Sequence, residues 1–135
     1  MSQPKRNTIA ALATLILLQV IMLSSLYAGI RPHPPEVTPL FGIGPFLGAS
    51  VSIALSAIIL QPLTSGFGRG LSVLAALMAL VSFGPQKYLD AQFGLICPAV
   101  VLGQVAAITI LICVLRRIFG RDRVALSAMA QGGQG

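Results

Sequence analysis

The sequence has 135 residues, of which 56% are hydrophobic and only 9% are charged. Soluble globular proteins carry about 25% charged residues, so this composition excludes that class. The formal net charge of +6 does not indicate nucleic-acid binding, because the basic residues stand at the ends of apolar runs and do not alternate with aromatic ones. Anionic lipid headgroups are the partner that this placement favours.

The first predicted helix spans residues 8–30 and follows Lys5 and Arg6. A basic start before an apolar run is also typical of signal peptides, but this run is longer than their usual core of about 7–15 residues. It is long enough to cross roughly 30 Å of hydrocarbon, so we predict a retained transmembrane helix. Gln19 is its one strongly polar interior residue.

The second predicted helix spans residues 40–60 and follows a proline-rich linker. It carries four small residues at every fourth position: Gly44, Gly48, Ser52 and Ser56. Residues with this spacing share one face of a helix, and in lipid a face this flat lets another helix approach closely. The spacing leaves open whether that neighbour belongs to this chain or to a partner protein.

The third predicted helix spans residues 68–85, but its uncharged core is short and ends at Gly84 and Pro85. It reaches across a bilayer if it begins near Phe67 and the side chain of Arg69 extends to the interface. A re-entrant or interfacial segment is the alternative.

The fourth predicted helix spans residues 92–115. Ala99, Gly103 and Ala107 form a second stripe of small residues, and Gln104 is its strongly polar interior residue. A hydrogen bond between Gln19 and Gln104 is our expectation for these two side chains, as a structural contact between the first and last helices.

A basic tail, residues 116–135, follows the fourth helix. It carries four arginines that are candidates for contact with headgroups or with a partner: Arg116, Arg117, Arg121 and Arg123.

The distribution of charge predicts the topology. Four crossings put most of the basic residues on one side: Lys5, Arg6, Arg69, Arg116, Arg117, Arg121 and Arg123. Arg31 and Lys87 remain on the other side. Because basic residues concentrate on the cytoplasmic side, we predict an all-α membrane protein with four transmembrane helices, both termini cytoplasmic. Residues 1–135 form a single transmembrane domain.

Side chains suited to chemistry are sparse. His33, the single histidine, stands in the linker beside Glu36, whereas a metal site needs three or four ligands. The apolar runs contain no histidine for haem or a pigment and no ionisable residue for coupled transport. Cys97 and Cys113 stand about 24 Å apart on one helix, too far for a disulfide. We therefore predict no enzyme, no metal and no cofactor bound through its own ligands, while contacts with lipid or a neighbouring pigment stay open.

The motif Phe41-Gly42-Ile43-Gly44-Pro45-Phe46, and Phe93-Gly94 before the last helix, resemble the small membrane subunit of tripartite tricarboxylate transporters. The resemblance covers only these short stretches, and that family has a further hydrophobic segment after the fourth. It implies a subunit of a secondary transporter, which is the second interpretation of the sequence.

The first interpretation is a non-catalytic accessory or structural subunit that packs against larger subunits of an integral membrane complex. A respiratory, photosynthetic or transport complex fits equally well. A homo-oligomeric pore lined by the region of Ser50, Ser52 and Ser56 is a third interpretation. The expected partners are larger membrane subunits and lipids, including anionic headgroups, and the expected location is the bacterial inner (cytoplasmic) membrane.

Overall fold

The computed structural model describes residues 1–30, 39–91 and 93–132, and most of these residues lie in helices. The helices are α1 (Gln3–Ala28), α2 (Leu40–Ile59), α3 (Gly66–Phe83) and α4 (Phe93–Gly132), with a 3₁₀ turn at Pro85–Leu89 before α4. The described part of the chain contains no strand. The linker with Arg31, His33 and Glu36 lies outside the described residues, as do residues 133–135.

Four helical segments are long and apolar enough to cross a membrane, which confirms the all-helical prediction and its four candidate spans. They are Gln3–Ala28, Phe41–Ile59, Gly66–Leu89 and Phe93–Gly120. The third segment reaches this length because α3 continues into the 3₁₀ turn. The orientation of the termini stays a prediction.

The helix ends follow from local sequence. Gly29 ends α1 in a left-handed conformation (φ 63°), which glycine adopts without strain. Ser65 is the N-cap of α3. Its hydroxyl oxygen accepts a hydrogen bond from the backbone amide of Gly68 at 2.8 Å, as is typical of serine at this position. Gly84 follows α3 in an extended conformation before Pro85, as the residue before a proline prefers, and a side chain at Gly84 would collide with the carbonyl of Leu80.

The prediction for the end of α4 is wrong. We expected the helix to end at residue 115 and a basic tail to follow, but α4 continues to Gly132. Arginine and alanine are the commonest residues of this stretch, and both are strong helix formers. Gly120 is the one glycine before the last helical residue, and a single glycine lowers helix stability by only about 1 kcal/mol.

The four helices surround an interior of small side chains. Each helix packs against the next in sequence, α4 closes the ring against α1, and α1 also meets α3 across the middle. The short connections after α2 and after α3 favour antiparallel packing of the helices that they join. The buried core contains mostly alanine on α2, α3 and α4: Ala54, Ala57, Ala75, Ala76, Ala79, Ala106 and Ala107. Alanines at these positions allow the helices to lie close together.

Candidate functional site

The stripe on α2, which we call the outer stripe (Gly44, Gly48, Ser52 and Ser56), faces away from the bundle at its centre. Gly48 and Ser52 are exposed, and a Cβ atom built at Gly48 would meet no atom within 4 Å. The opposite face of α2 enters the interior through Leu47, Ser50 and Ala54. The middle of the outer stripe therefore remains open to a neighbour from outside this chain.

The ends of the outer stripe are half-buried. A Cβ atom at Gly44 would lie 2.7 Å from the hydroxyl oxygen of Tyr27 on α1. The Ser52 hydroxyl donates to the carbonyl of Gly48 at 2.8 Å. This hydrogen bond within α2 satisfies the Ser52 hydroxyl without a partner protein. The exposed centre of the outer stripe is therefore nearly apolar.

The stripe on α4, the inner stripe (Ala99, Gly103 and Ala107), faces the bundle instead. Ala107 and Gly103 are buried, and Ala99 is half-buried. A Cβ atom at Gly103 would lie 2.8 Å from Cγ of Phe83 on α3. The inner stripe is thus an internal contact surface for α3, and the two stripes, indistinguishable by spacing, have different surroundings.

Gln19 lies inside the bundle, and its predicted bond to Gln104 is wrong. The side chain is only 1% exposed, and its Nε2 donates to Oγ of Ser50 on α2 at 2.7 Å. Gln19 on α1 and Ser50 on α2 lie at the same level along the bundle axis, so their side chains are within hydrogen-bonding distance. Oε1 of Gln19 has no hydrogen-bond partner among the described residues.

Gln104 instead binds the end of α3. Its Nε2 donates to the carbonyl of Phe83 at 3.1 Å, and its Oε1 accepts the hydroxyl of Tyr88 at 2.8 Å. The ring of Tyr88 also packs on Phe93, with centroids 5.0 Å apart. The last carbonyls of a helix lack partners within it, so Gln104 is occupied in completing α3.

The side-chain amide of Gln86 also binds a carbonyl near the end of α3. Its Nε2 donates to the carbonyl of Val81 at 2.6 Å. Sequence reasoning missed this end of α3 because the acceptors are backbone atoms, which no side-chain pattern reveals. The available signal was a glutamine directly after Gly84 and Pro85.

Charged side chains divide between the two ends of the bundle. Arg116, Arg117 and Arg123 are exposed on α4, whereas the side chain of Arg121 lies outside the described residues. Nη1 of Arg69 donates to a nearby backbone carbonyl in the turn before α3. At the other end, Lys87 forms an ion pair with Asp90 at 3.4 Å.

Groups that could hold a metal are not brought together in the described part of the chain, where no cluster of three or more His, Cys, Asp or Glu side chains occurs. Cys97 and Cys113 are free and half-buried. What the described side chains offer is an apolar packing surface, together with polar groups that bind one another or the backbone inside the fold.

Comparison with protein-family models, with curated proteins and with solved structures finds no match to this chain. The resemblance to the small membrane subunit of tripartite tricarboxylate transporters therefore rests on the quoted residues alone.

Proposed function

We propose that this chain is a non-catalytic accessory subunit that packs, through the outer stripe, against larger subunits of an integral membrane complex. One observation carries the proposal: the centre of a small-residue stripe faces away from the bundle, with open space around Gly48. Small residues at fourfold spacing favour close helix approach in lipid, and none of the described helices of this chain occupies the face at Gly48.

The chemistry of the outer stripe favours a helix as its occupant. The hydroxyl of Ser52 is already bonded to its own backbone, so the centre of the outer stripe offers shape for a close approach and not a free hydroxyl. A partner helix with small or flat side chains could approach Gly48 closely and gain dispersion contacts that lipid chains, which are mobile, fill less well. The larger subunit would be stabilised by the same contact.

The proposed setting is the bacterial inner membrane, with both termini in the cytoplasm. In the four-crossing arrangement, one end of the bundle carries most of the basic residues: Lys5, Arg6, Arg69 and the arginines after residue 115. Basic residues concentrate on the cytoplasmic side. Cysteine accessibility of Ser2→Cys in sealed cells tests this orientation, in a chain whose native cysteines are replaced by Cys97→Ala and Cys113→Ala. Labelling of this variant from outside by an impermeant maleimide would contradict the orientation.

The two alternatives receive less support. A secondary-transporter subunit would use Gln104 as an intramembrane polar group, yet both ends of that amide are bonded within the fold. A pore lined by serines would need Ser50 and Ser52 on one surface, yet Ser50 is 1% exposed and bound to Gln19, whereas Ser52 is exposed.

Native mass spectrometry of the tagged chain, extracted from its own membrane in a mild detergent, tests the proposal. We expect one copy of the 14.0 kDa chain bound to larger, defined subunits, whose masses would identify the complex. The isolated chain, or a ring of identical copies, would contradict the accessory role. A ring would lead to conductance measurements on the reconstituted protein.

A further inference from the structure

The last part of α4 extends away from the packed bundle. Val114 is the last side chain described as buried, and every residue from 115 to 120 is exposed. The helical backbone nevertheless continues to Gly132. At 1.5 Å per residue, this extension is about 27 Å long beyond Val114.

The extension has one apolar face. Leu115, Ile118, Phe119 and Met129 fall within an arc of about 100° on the helix. The exposed arginines Arg116, Arg117 and Arg123 fall outside that arc. Phe119 is 61% exposed and Met129 is 76% exposed. A helix with large apolar residues on one side and arginines on the others is typical of a segment that binds at a membrane surface.

The apolar face continues the outer surface of the bundle. Val101, Ile108 and Leu115 repeat every seventh residue along α4 and are all exposed. In a membrane these side chains would contact lipid, and Phe119 extends the same line. Asp122, seven residues after Leu115, falls within the same arc by helical spacing and divides the apolar face between Phe119 and Met129, so these two residues provide separate points of contact.

The arginines have little compensating charge in the chain. Its three acidic residues are Glu36, Asp90 and Asp122. Asp90 pairs with Lys87 at the opposite end of the bundle, and Asp122 alone stands among the arginines of α4. The phosphates of an anionic lipid surface carry the negative charge that would balance these arginines.

We propose that residues 115–132 bend away from the bundle axis and lie along an anionic lipid surface, with Phe119 and Met129 in the acyl boundary and the arginines at the phosphates. A straight continuation would carry Met129 about 21 Å beyond Leu115 along the helix and leave its side chain in water. A surface orientation removes both apolar side chains from water. The inference does not depend on the proposed accessory role.

Tryptophan fluorescence provides the test, because the chain contains no tryptophan. The full chain would be reconstituted as Met129→Trp, as Phe119→Trp and as Gly120→Trp. Gly120 lies on the side of the helix opposite the apolar arc, and a Cβ atom there meets nothing within 4 Å. Vesicles would contain phosphatidylcholine with or without phosphatidylglycerol, and the quenchers would be brominated acyl chains and aqueous acrylamide.

In anionic vesicles we expect Met129→Trp to be quenched by brominated chains about as strongly as Phe119→Trp, with a blue-shifted emission. Gly120→Trp should remain open to acrylamide, and high salt should weaken the lipid quenching at position 129. Quenching of Met129→Trp by acrylamide alone would overturn the proposal in favour of a free helix. Protection from both quenchers would overturn it in favour of a protein contact. Equal lipid quenching in neutral vesicles would overturn the role of the arginines.

Discussion

Gly103 of α4 and Phe83 of α3 lie so close that a Cβ atom at Gly103 would stand 2.8 Å from Cγ and 2.9 Å from Cβ of the phenylalanine. Phe83 is 4% exposed, so its ring has little room to retreat. The absence of a side chain at Gly103 therefore sets the distance between these two helices.

Gly103→Ala should destabilise the bundle. Overpacking of a tight interior costs about 1–3 kcal/mol, whereas replacing a helical glycine with alanine returns only about 1 kcal/mol. We expect a net loss, measured as unfolding of the purified protein in mixed micelles with increasing SDS. Gly48→Ala is the matched control, because the surroundings of Gly48 are open and only the gain in helix propensity applies. We expect this control variant to be more stable than the parent protein. A shift in the same direction for both variants would contradict the different surroundings of the two stripes.

Ser50→Ala should destabilise the bundle by about 1–2 kcal/mol, because the buried amide of Gln19 would then lose the bond to Oγ. The double variant Gln19→Met, Ser50→Ala should recover most of that loss, since it removes both polar groups together with the unpaired Oε1. The same SDS titration measures this cycle. Additive losses would show that Gln19 has another partner.

Gln104→Leu should destabilise the protein more than Tyr88→Phe does. Gln104→Leu removes the hydrogen bonds to the carbonyl of Phe83 and to the hydroxyl of Tyr88. Tyr88→Phe removes only the bond between Tyr88 and Gln104. We expect about 1–3 kcal/mol for Gln104→Leu and roughly half of that for Tyr88→Phe. Equal losses would place the stabilising contact at Tyr88 alone.

The same variant separates accessory and transport roles. If solute flux falls in Gln104→Leu membranes in proportion to the amount of folded chain, the effect is structural. A loss of flux with a normal amount of folded chain would support the secondary-transporter alternative.

Gly48→Leu should abolish co-purification with larger subunits, because a leucine side chain would separate the facing backbones. Its fold should survive, since the position is open and leucine is a good helix former. Gly70→Leu is the control: Gly70 is also exposed and open but lies on α3. Equal recovery of partners with both variants, measured by quantitative mass spectrometry of the purified complex, would exclude the outer stripe as the interface.

The sequence was sufficient for the number of helices, because long uncharged runs bounded by charge, glycine and proline have few other structures available to them. It could not predict which way each stripe faces. Polar contrast distinguishes the two sides of a helix in water, but the lipid-facing side of a membrane helix is as apolar as its interior. Gly48 and Gly103 therefore look alike until the neighbouring helices are placed.

The polar contacts were unpredictable for a related reason. The acceptor of the Gln104 amide is the backbone carbonyl of Phe83. This bond forms because α3 ends beside Gln104, and the position of that end relative to α4 cannot be predicted from a side-chain pattern. The pairing of Gln19 with Ser50 likewise depends on the relative height of two helices joined by the linker of residues 31–38. Residues 116–135 are predicted as a tail because four arginines follow the apolar run directly, although arginine favours helix.

The short third helix has a consequence for hydrophobic matching. α3 is 18 residues long, about 27 Å, and the charged pair of Lys87 and Asp90 follows within a few residues. The apolar part of α1, residues 8–28, is about 32 Å long. If these helices cross a bilayer, the lipid beside α3 would be thinner than the lipid beside α1, at a cost of a fraction of a kcal/mol for each Å of mismatch. In a thick bilayer, the α3 flank is the side of the protein that gains most from leaving lipid.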